Sequence, residues 1–337
     1  VLLIHTAFLG DIVLASPVLA ALRAELPDAE IFFLTTGGGV ALLENNPWGV
    51  KPIPFHKRGA DSGWRGLLRK GRELKSLNPD LVFCLHRSLR STILAKLCGG
   101  ESWGFREGAM SFLFDHRVSR QGFAYEAEKN LALVKAWSGQ KEFSPFPRLG
   151  VSPADEAKSG ELLAKAGRFV VLAPSSVWAT KRWPGEKFGE LALRIQKELG
   201  LDTVIVGSEE DRAASAAVLE KAPSSIDLTG KTSLGALKSV LSKADLVVSN
   251  DSSPLHMAIA MGTKVVGVFG PTTKELGFFP LAPAGRSAVA ELKELECRPC
   301  GMHGHDRCPL GHFRCMLDLE VNQVFAEVNR LYAARDR

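Results

Sequence analysis

The sequence has no apolar run as long as the roughly 18 residues that a membrane-spanning helix needs, no internal repeat and no low-complexity tract. A helical membrane protein, a solenoid and a disordered chain are thereby set aside. It has little net charge: 42 Lys and Arg stand against 37 Asp and Glu, for +5. That is too small an excess for a dedicated duplex-DNA binder. The first residues, VLLIHTAFLGDIVLASPVL, lack a basic leader and are interrupted by Asp11. They read as a buried strand and a helix rather than a signal peptide. The glycines of a Walker loop are missing as well.

What is present is the profile of a soluble globular protein: 337 residues, 45% hydrophobic and 23% charged, enough for two domains of ordinary size. The charge is unevenly spread. Residues 1–150 hold 19 basic and 14 acidic side chains, and residues 151–337 hold 23 of each. Within the first half, Lys51, Lys57, Arg58, Arg65, Arg69, Lys70, Arg72 and Lys75 face only Asp61 and Glu73 over residues 51–75. Such a segment suits a local anionic partner.

Short apolar runs recur at Val1–His5, Ile31–Thr35, Leu81–Leu85, Phe169–Ala173, Thr203–Val206, Leu246–Ser249 and Lys264–Phe269. Several are apolar throughout, as in a parallel sheet covered on both faces. Amphipathic stretches such as Gly185–Leu199, Asp211–Lys221 and Leu234–Lys243 lie between them. Alternating strands and helices predict βαβ units. Glu142–Pro153, with three prolines and a glycine, reads as a linker. The expected fold is therefore α/β: two doubly wound Rossmann-like domains, 1–150 and 151–337, facing a central cleft. Ligands are expected at the carboxyl ends of the strands.

Three segments carry chemistry. After the first strand, Gly10 allows a tight backbone path and Asp11 falls where strand passes into helix. Asp11 either caps that helix or serves as a general base toward an attacking hydroxyl. Pro17 is awkward inside a helix, so an irregular path from Asp11 to Ser16 is expected. After Phe169–Ala173, the hydroxyls of Ser175, Ser176 and Thr180 accompany Lys181 and Arg182 ahead of a helix start at Pro184. This combination suits a phosphate, although a solvated basic loop has the same composition. Farther on, Asp251, Ser252 and Ser253 form an N-cap with Pro254 just inside, and His256 follows one turn later. That terminus again favours an anion. Two phosphate-suited loops on one sheet imply a diphosphate, and Glu209 or Glu210, after another strand, suits ribose hydroxyls.

In this order and spacing, LGDIVLASP, TKRWP, NDSSPLHMAIAMG, FGPT and CPLGHFRCM make the chain resemble the bacterial heptosyltransferases of glycosyltransferase family 9, the ADP-heptose:lipopolysaccharide enzymes. TKRWP, GPTTKELGF and the cysteine-rich tail look more like the second-heptose enzymes (heptosyltransferase II). The resemblance covers nearly the whole chain and implies a GT-B architecture, with the acceptor on the first domain and the sugar nucleotide on the second. It also suggests that the last helix, Leu319–Ala333, returns to the first domain. It implies inverting transfer of L-glycero-D-manno-heptose from ADP-heptose to the inner core of lipopolysaccharide, with no required cofactor. In that scheme Asp11 is the base. Lys181 meets the diphosphate and stabilises the leaving phosphate, with Ser175, Ser176 and Thr180 around it. Glu209 holds the ribose, and Asp251, Ser252, Ser253 and His256 hold phosphate and sugar. Adenine is gripped near Lys231–Leu234, which includes Thr232. Ser253 stands where the family has glycine. The acceptor side is assigned to Gly10, Arg87 and Arg90, the last two in a loop that reads equally well as solvated surface.

The expected partners are an ADP-sugar, an anionic lipopolysaccharide-core acceptor and, peripherally, the cytoplasmic face of the inner membrane, with no nucleic acid. The expected location is cytoplasmic. Of six cysteines, Cys84 and Cys98 read as buried thiols. Cys297, Cys300, Cys308 and Cys315, with His303, His305 and His312 among them, are candidates for a structural zinc, for disulfides or for free thiols. Two other functions fit parts of the pattern: a family member with another nucleotide sugar or acceptor, and a non-catalytic nucleotide- or nucleic-acid-binding protein. The second leaves Asp11 unexplained and lacks the aromatic-basic interleaving of single-strand binders.

Overall fold

The structure is a computed structural model and describes residues 1–334. The chain forms two compact units, Val1–Gly150 and Val151–Arg337. The first unit runs β1 (Leu2–Ile4), α1 (Leu9–Glu25), β2 (Phe32–Thr35), α2 (Gly37–Leu43), β3 (Lys51–Pro54), α3 (Gly63–Lys75), β4 (Leu81–Cys84), α4 (Leu89–Leu97), β5 (Glu101–Phe105), β6 (His116–Val118) and α5 (Glu126–Trp137). The second runs α6 (Pro153–Leu162), β7 (Phe169–Ala173), α7 (Gly185–Arg194), β8 (Asp202–Ile205), α8 (Arg212–Lys221), β9 (Ile226–Asp227), α9 (Leu234–Lys243), β10 (Leu246–Asn250), α10 (Ser253–Ala260), β11 (Val265–Phe269), β12 (Ser287–Glu291), α11 (Arg314–Leu317) and α12 (Val321–Ala333).

Each unit is built on one six-stranded sheet, ordered β3-β2-β1-β4-β5-β6 in the first and β12-β11-β10-β7-β8-β9 in the second. Every pairing is parallel. The winding direction reverses between β1 and β4, and again between β7 and β10. Those are the two switch points at which an open parallel sheet leaves a crevice for ligands.

The central strands β7, β10 and β11 are buried at every position, which is why they read as unbroken apolar runs. Among the described residues no helix is long and apolar enough to cross a membrane. The last helix belongs to the second unit. Its Val321, Val324, Phe325, Val328 and Leu331 recur on one face and enter the core formed by Val248, Val266, Ala288 and Leu191.

Two local expectations are corrected. α1 is continuous through Pro17, and the segment from Asp11 to Ser16 is helical. Pro17 and Ser16 are both buried, and Ser16 Oγ accepts a hydrogen bond from the Arg148 backbone at 3.0 Å. Tertiary packing thus holds a helix that the proline alone would break. Gly10 lies inside that helix and has no positive φ.

Candidate active site

In the second unit, three loops meet at the β7/β10 switch point. The turn after β7 brings Lys181 Nζ to 2.5 Å from Asp251 Oδ2. The turn after β11 brings Thr272 Oγ1 to 2.7 Å from the same oxygen. Lys181 is 9% exposed, Asp251 5% and Thr272 3%, so the ion pair is buried. A buried pair survives only where further hydrogen bonds satisfy its oxygens, and Thr272 supplies one. Asn250 ties the turns together: its Nδ2 donates to the Pro174 carbonyl at 2.8 Å and its Oδ1 accepts from the Trp183 backbone at 3.1 Å. Trp183 is buried and donates through Nε1 to the Leu319 carbonyl.

α10 begins at this point. Ser252 occupies its N-cap position but gives the helix no side-chain cap; its hydroxyl lies 3.2 Å from Ser249 Oγ instead. Pro254 has no amide hydrogen and the Leu255 amide donates to the Ser252 carbonyl, so the Ser253 amide is what the uncapped terminus offers beside the lysine, and it suits an anion. Ser253 is helical and free of positive φ, so serine in place of the family glycine causes no backbone strain. His256 is buried, and its Nδ1 has no partner among the described residues. Burial pushes its pKa down to about 4, Asp251 opposes that shift and Lys181 adds to it. The imidazole is therefore neutral at pH 7.

The flanking residues divide in two. Ser176 Oγ donates to the Asp251 carbonyl at 3.4 Å and stays with the cluster. Ser175 instead donates to Asp211. Thr180 is taken up by the cysteine-rich loop: its amide and hydroxyl both donate to the His305 carbonyl at 3.0 Å, and its oxygen accepts from the His305 amide at 2.7 Å. Glu209 is exposed and paired with Arg212, whose hydrogen bond holds its carboxyl below the usual range. Its Oε2 lies over Gly230, so closely that a Cβ there would sit 2.1 Å away. Glu209 is thus beside the segment carrying half-buried Thr232. Asp211 and Thr272 were not singled out by residue-type reasoning, although Thr272 lies within the FGPT motif.

Cys84 and Cys98 are buried thiols, with pKa values pushed up by burial, Cys98 to about 12. The other four cysteines are also free. Among the described residues no group of three or more His, Cys, Asp or Glu side chains is placed to hold a metal ion, so of the three alternatives for this cluster the free thiols are supported and the structural zinc is not. The side chains have other work: His303 stacks on Trp178, His305 Nε2 contacts the Cys300 carbonyl, and Cys300 Sγ donates to the Cys297 carbonyl at 3.1 Å. Together they dock the loop on the turn that carries Lys181. At Gly304 a Cβ would stand 2.5 Å from Trp178 Cβ, so the close approach requires glycine.

In the first unit, Asp11 sits half-buried in the first turn of α1, whose N-cap, Phe8, supplies no side-chain hydrogen bond. Arg87 and Arg90 are exposed at the start of α4. In the basic segment, Asp61 pairs with Arg69 at 2.7 Å and lies 3.9 Å from Lys70, which pairs with Glu73 at 2.8 Å. Both acids of the segment are therefore spent on two of its eight cations.

The family model described as glycosyltransferase family 9 (heptosyltransferase) matches residues 67–308. The chain is 25% identical over 329 residues to lipooligosaccharide heptosyltransferase 2 of Campylobacter jejuni, covering 96% of this chain and 95% of that one. Among solved structures it is similar to a family 9 glycosyl transferase from Veillonella parvula, with TM-score 0.85, 22% identity and coverage of 98% and 96%. It is also similar to the ADP-heptose LPS heptosyltransferase II of E. coli, with TM-score 0.79, 21% identity and 98% coverage of both chains. At such identities the structural likeness speaks for the fold, which is the GT-B class.

Proposed function

The chain belongs to glycosyltransferase family 9, and on that premise we propose that it moves L-glycero-D-manno-heptose from ADP-heptose to the inner core of lipopolysaccharide with inversion at the anomeric carbon. It is a glycosyltransferase of the heptosyltransferase type. The observation that carries the finer reading is the buried Lys181–Asp251–Thr272 cluster beside the uncapped start of α10. A lysine fixed by a carboxylate, next to the uncapped Ser253 amide, suits a diphosphate, and the name of the E. coli neighbour gives ADP-heptose as that protein's sugar nucleotide.

In the proposed reaction the acceptor hydroxyl oxygen bonds to the anomeric carbon as the bond from that carbon to the β-phosphate oxygen breaks. The hydroxyl proton goes to the Asp11 carboxylate. The electron pair leaves with ADP, where Lys181 and the Ser253 amide at the start of α10 stabilise the growing phosphate charge. Neutral His256 contributes hydrogen bonding without repelling Lys181. Glu209 and the Gly230–Thr232 backbone hold the adenosine. Gly10, Arg87, Arg90 and the basic residues 57–75 face the acidic acceptor, and the enzyme works in peripheral contact with the cytoplasmic face of the inner membrane.

The test is nucleotide release from a panel of sugar nucleotides, with and without a lipid A–Kdo acceptor. ADP released from ADP-heptose only when acceptor is present is the expected result. Release from another donor would reassign the sugar, and no release from any donor would overturn the reading.

A further inference from the structure

The β1/β4 switch point of the first unit holds a polar cluster that this reaction leaves unused. His5, just past β1, is 3% exposed, yet neither of its ring nitrogens has a partner among the described residues. Its ring stacks on that of His86, with centroids 5.7 Å apart at 27°. Around His86 Nδ1 stand three hydroxyls: Thr6 at 3.0 Å, Ser91 at 3.0 Å and Ser88 at 3.3 Å. Ser88 caps the nine-residue helix α4, accepting from the Ser91 amide. Lys57 Nζ reaches in from beyond β3 to the Thr6 carbonyl.

The electrostatics of the cluster are one-sided. Burial holds His5 well below its ordinary pKa and brings His86 down to about 4, so both rings are neutral at pH 7. The fixed charges acting on them are all positive: Arg120 and Lys57 on His5, Lys57 and Arg87 on His86, and Arg90 on Lys57. Arg120 is answered by Glu126 at 2.5 Å. Neutral imidazole and hydroxyl donors at a helix N-terminus, ringed by cations, are complementary to an oxyanion. The unpartnered nitrogens of His5 mark unused hydrogen-bonding capacity where almost every buried polar group is satisfied.

We infer that this cluster is an oxyanion pocket for a carboxylate or phosphate group of the acceptor, with His86 and Ser88 as direct contacts and Thr6 and Ser91 positioning the His86 ring. The inference rests on the proposed transfer reaction for the identity of the acceptor but not for anion binding itself. It places specificity for the acceptor's acid group at the switch point, distinct from the exposed basic segment of α3.

Two readouts test it on the full chain. The first is the ring ¹⁵N resonances of His86 during titration with inorganic phosphate and, separately, acetate. A saturable shift with either anion, absent for the exposed histidines, is expected. Rings unmoved by both anions would overturn the pocket. The second is steady-state kinetics of His86→Gln and Ser88→Ala, each first shown to be folded by its thermal melt. The acceptor KM should rise tenfold or more, with donor KM and kcat within about twofold. Unchanged acceptor KM in both folded variants would overturn the assignment. If the His86→Gln effect persists with a phosphate-free acceptor the bound group is a carboxylate; if it vanishes the group is a phosphate. A protein that binds anions at His86 but transfers no heptose keeps the pocket and refutes the transfer reading.

Discussion

The two switch points are built from the same topology and differ in how their charge is balanced. Between β7 and β10, a lysine and an aspartate form a buried pair that is complete before any ligand arrives. Between β1 and β4, two neutral histidines and three hydroxyls lie under cations. A diphosphate at the first of these must share Lys181 with Asp251, which fixes the ammonium in place. An anion at the second would meet Lys57, Arg87 and Arg90, with Arg120 already held by Glu126. On the proposed assignments, one site is preorganised by an internal counter-ion and the other is organised around an incoming one.

The largest effect should come from Asp11→Asn. Loss of the general base is expected to lower kcat by 10²-fold to 10⁴-fold or more while ADP-heptose binding, measured by calorimetry, stays near normal. Near-normal turnover would remove Asp11 from the base role.

Next comes the buried pair. Lys181→Met strands Asp251 without its counter-ion and should cost about 3–5 kcal/mol in a urea melt, together with most of the activity. Adding Asp251→Asn should return much of the stability and none of the turnover. Recovery of both would mean that Lys181 is structural only.

The histidines sharpen the comparison through pH. Their folded pKa values of about 4, for His86 and His256, lie below the unfolded value of about 6.5. Between these values the unfolded chain binds protons that the folded one does not, so stability rises with pH across that window. It is fully present above about pH 6.5 and lost as pH falls through 4. Each histidine contributes on the order of 3 kcal/mol to that loss. His256→Gln should flatten a plot of urea midpoint against pH, and an unchanged slope would count against the buried neutral imidazole.

The smallest effect is at the surface. Arg58→Glu, Arg65→Glu and Arg72→Glu together should raise the acceptor KM severalfold at low ionic strength, with less effect in high salt, and leave donor binding alone. If neither parameter moves, the basic excess of residues 51–75 is solvated surface.

How much of this was legible in the sequence depended on burial and on sequence distance. The strands recognised as apolar runs, β1, β2, β4, β7, β8, β10 and β11, are seven of the eight inner strands of the two sheets. All four edge strands, β3, β6, β9 and β12, escaped notice, as did β5. Edge strands keep one side in water and so alternate or carry polar residues; β3, with the sequence KPIP, even holds two prolines, which an edge tolerates. At the site, Lys181, Asp251 and His256 were visible through their motifs. Their pairing was not, because it joins residues 70 positions apart. Thr180 and Ser175 looked like ligand hydroxyls, and only the folded chain shows His305 and Asp211 occupying them. The His5–His86 stack likewise joins the ends of two strands far apart in sequence; the loop from His86 to Arg90 was legible as a candidate for acceptor acids, and its pairing with His5 was not.

The most direct test of the account is a crystal structure of the protein with ADP. The diphosphate is predicted within hydrogen-bond distance of Lys181 Nζ and the Ser253 amide at the start of α10, with the adenosine along Glu209 and Gly230–Thr232. ADP bound instead at the β1/β4 switch point, or its phosphates away from Lys181, would contradict it.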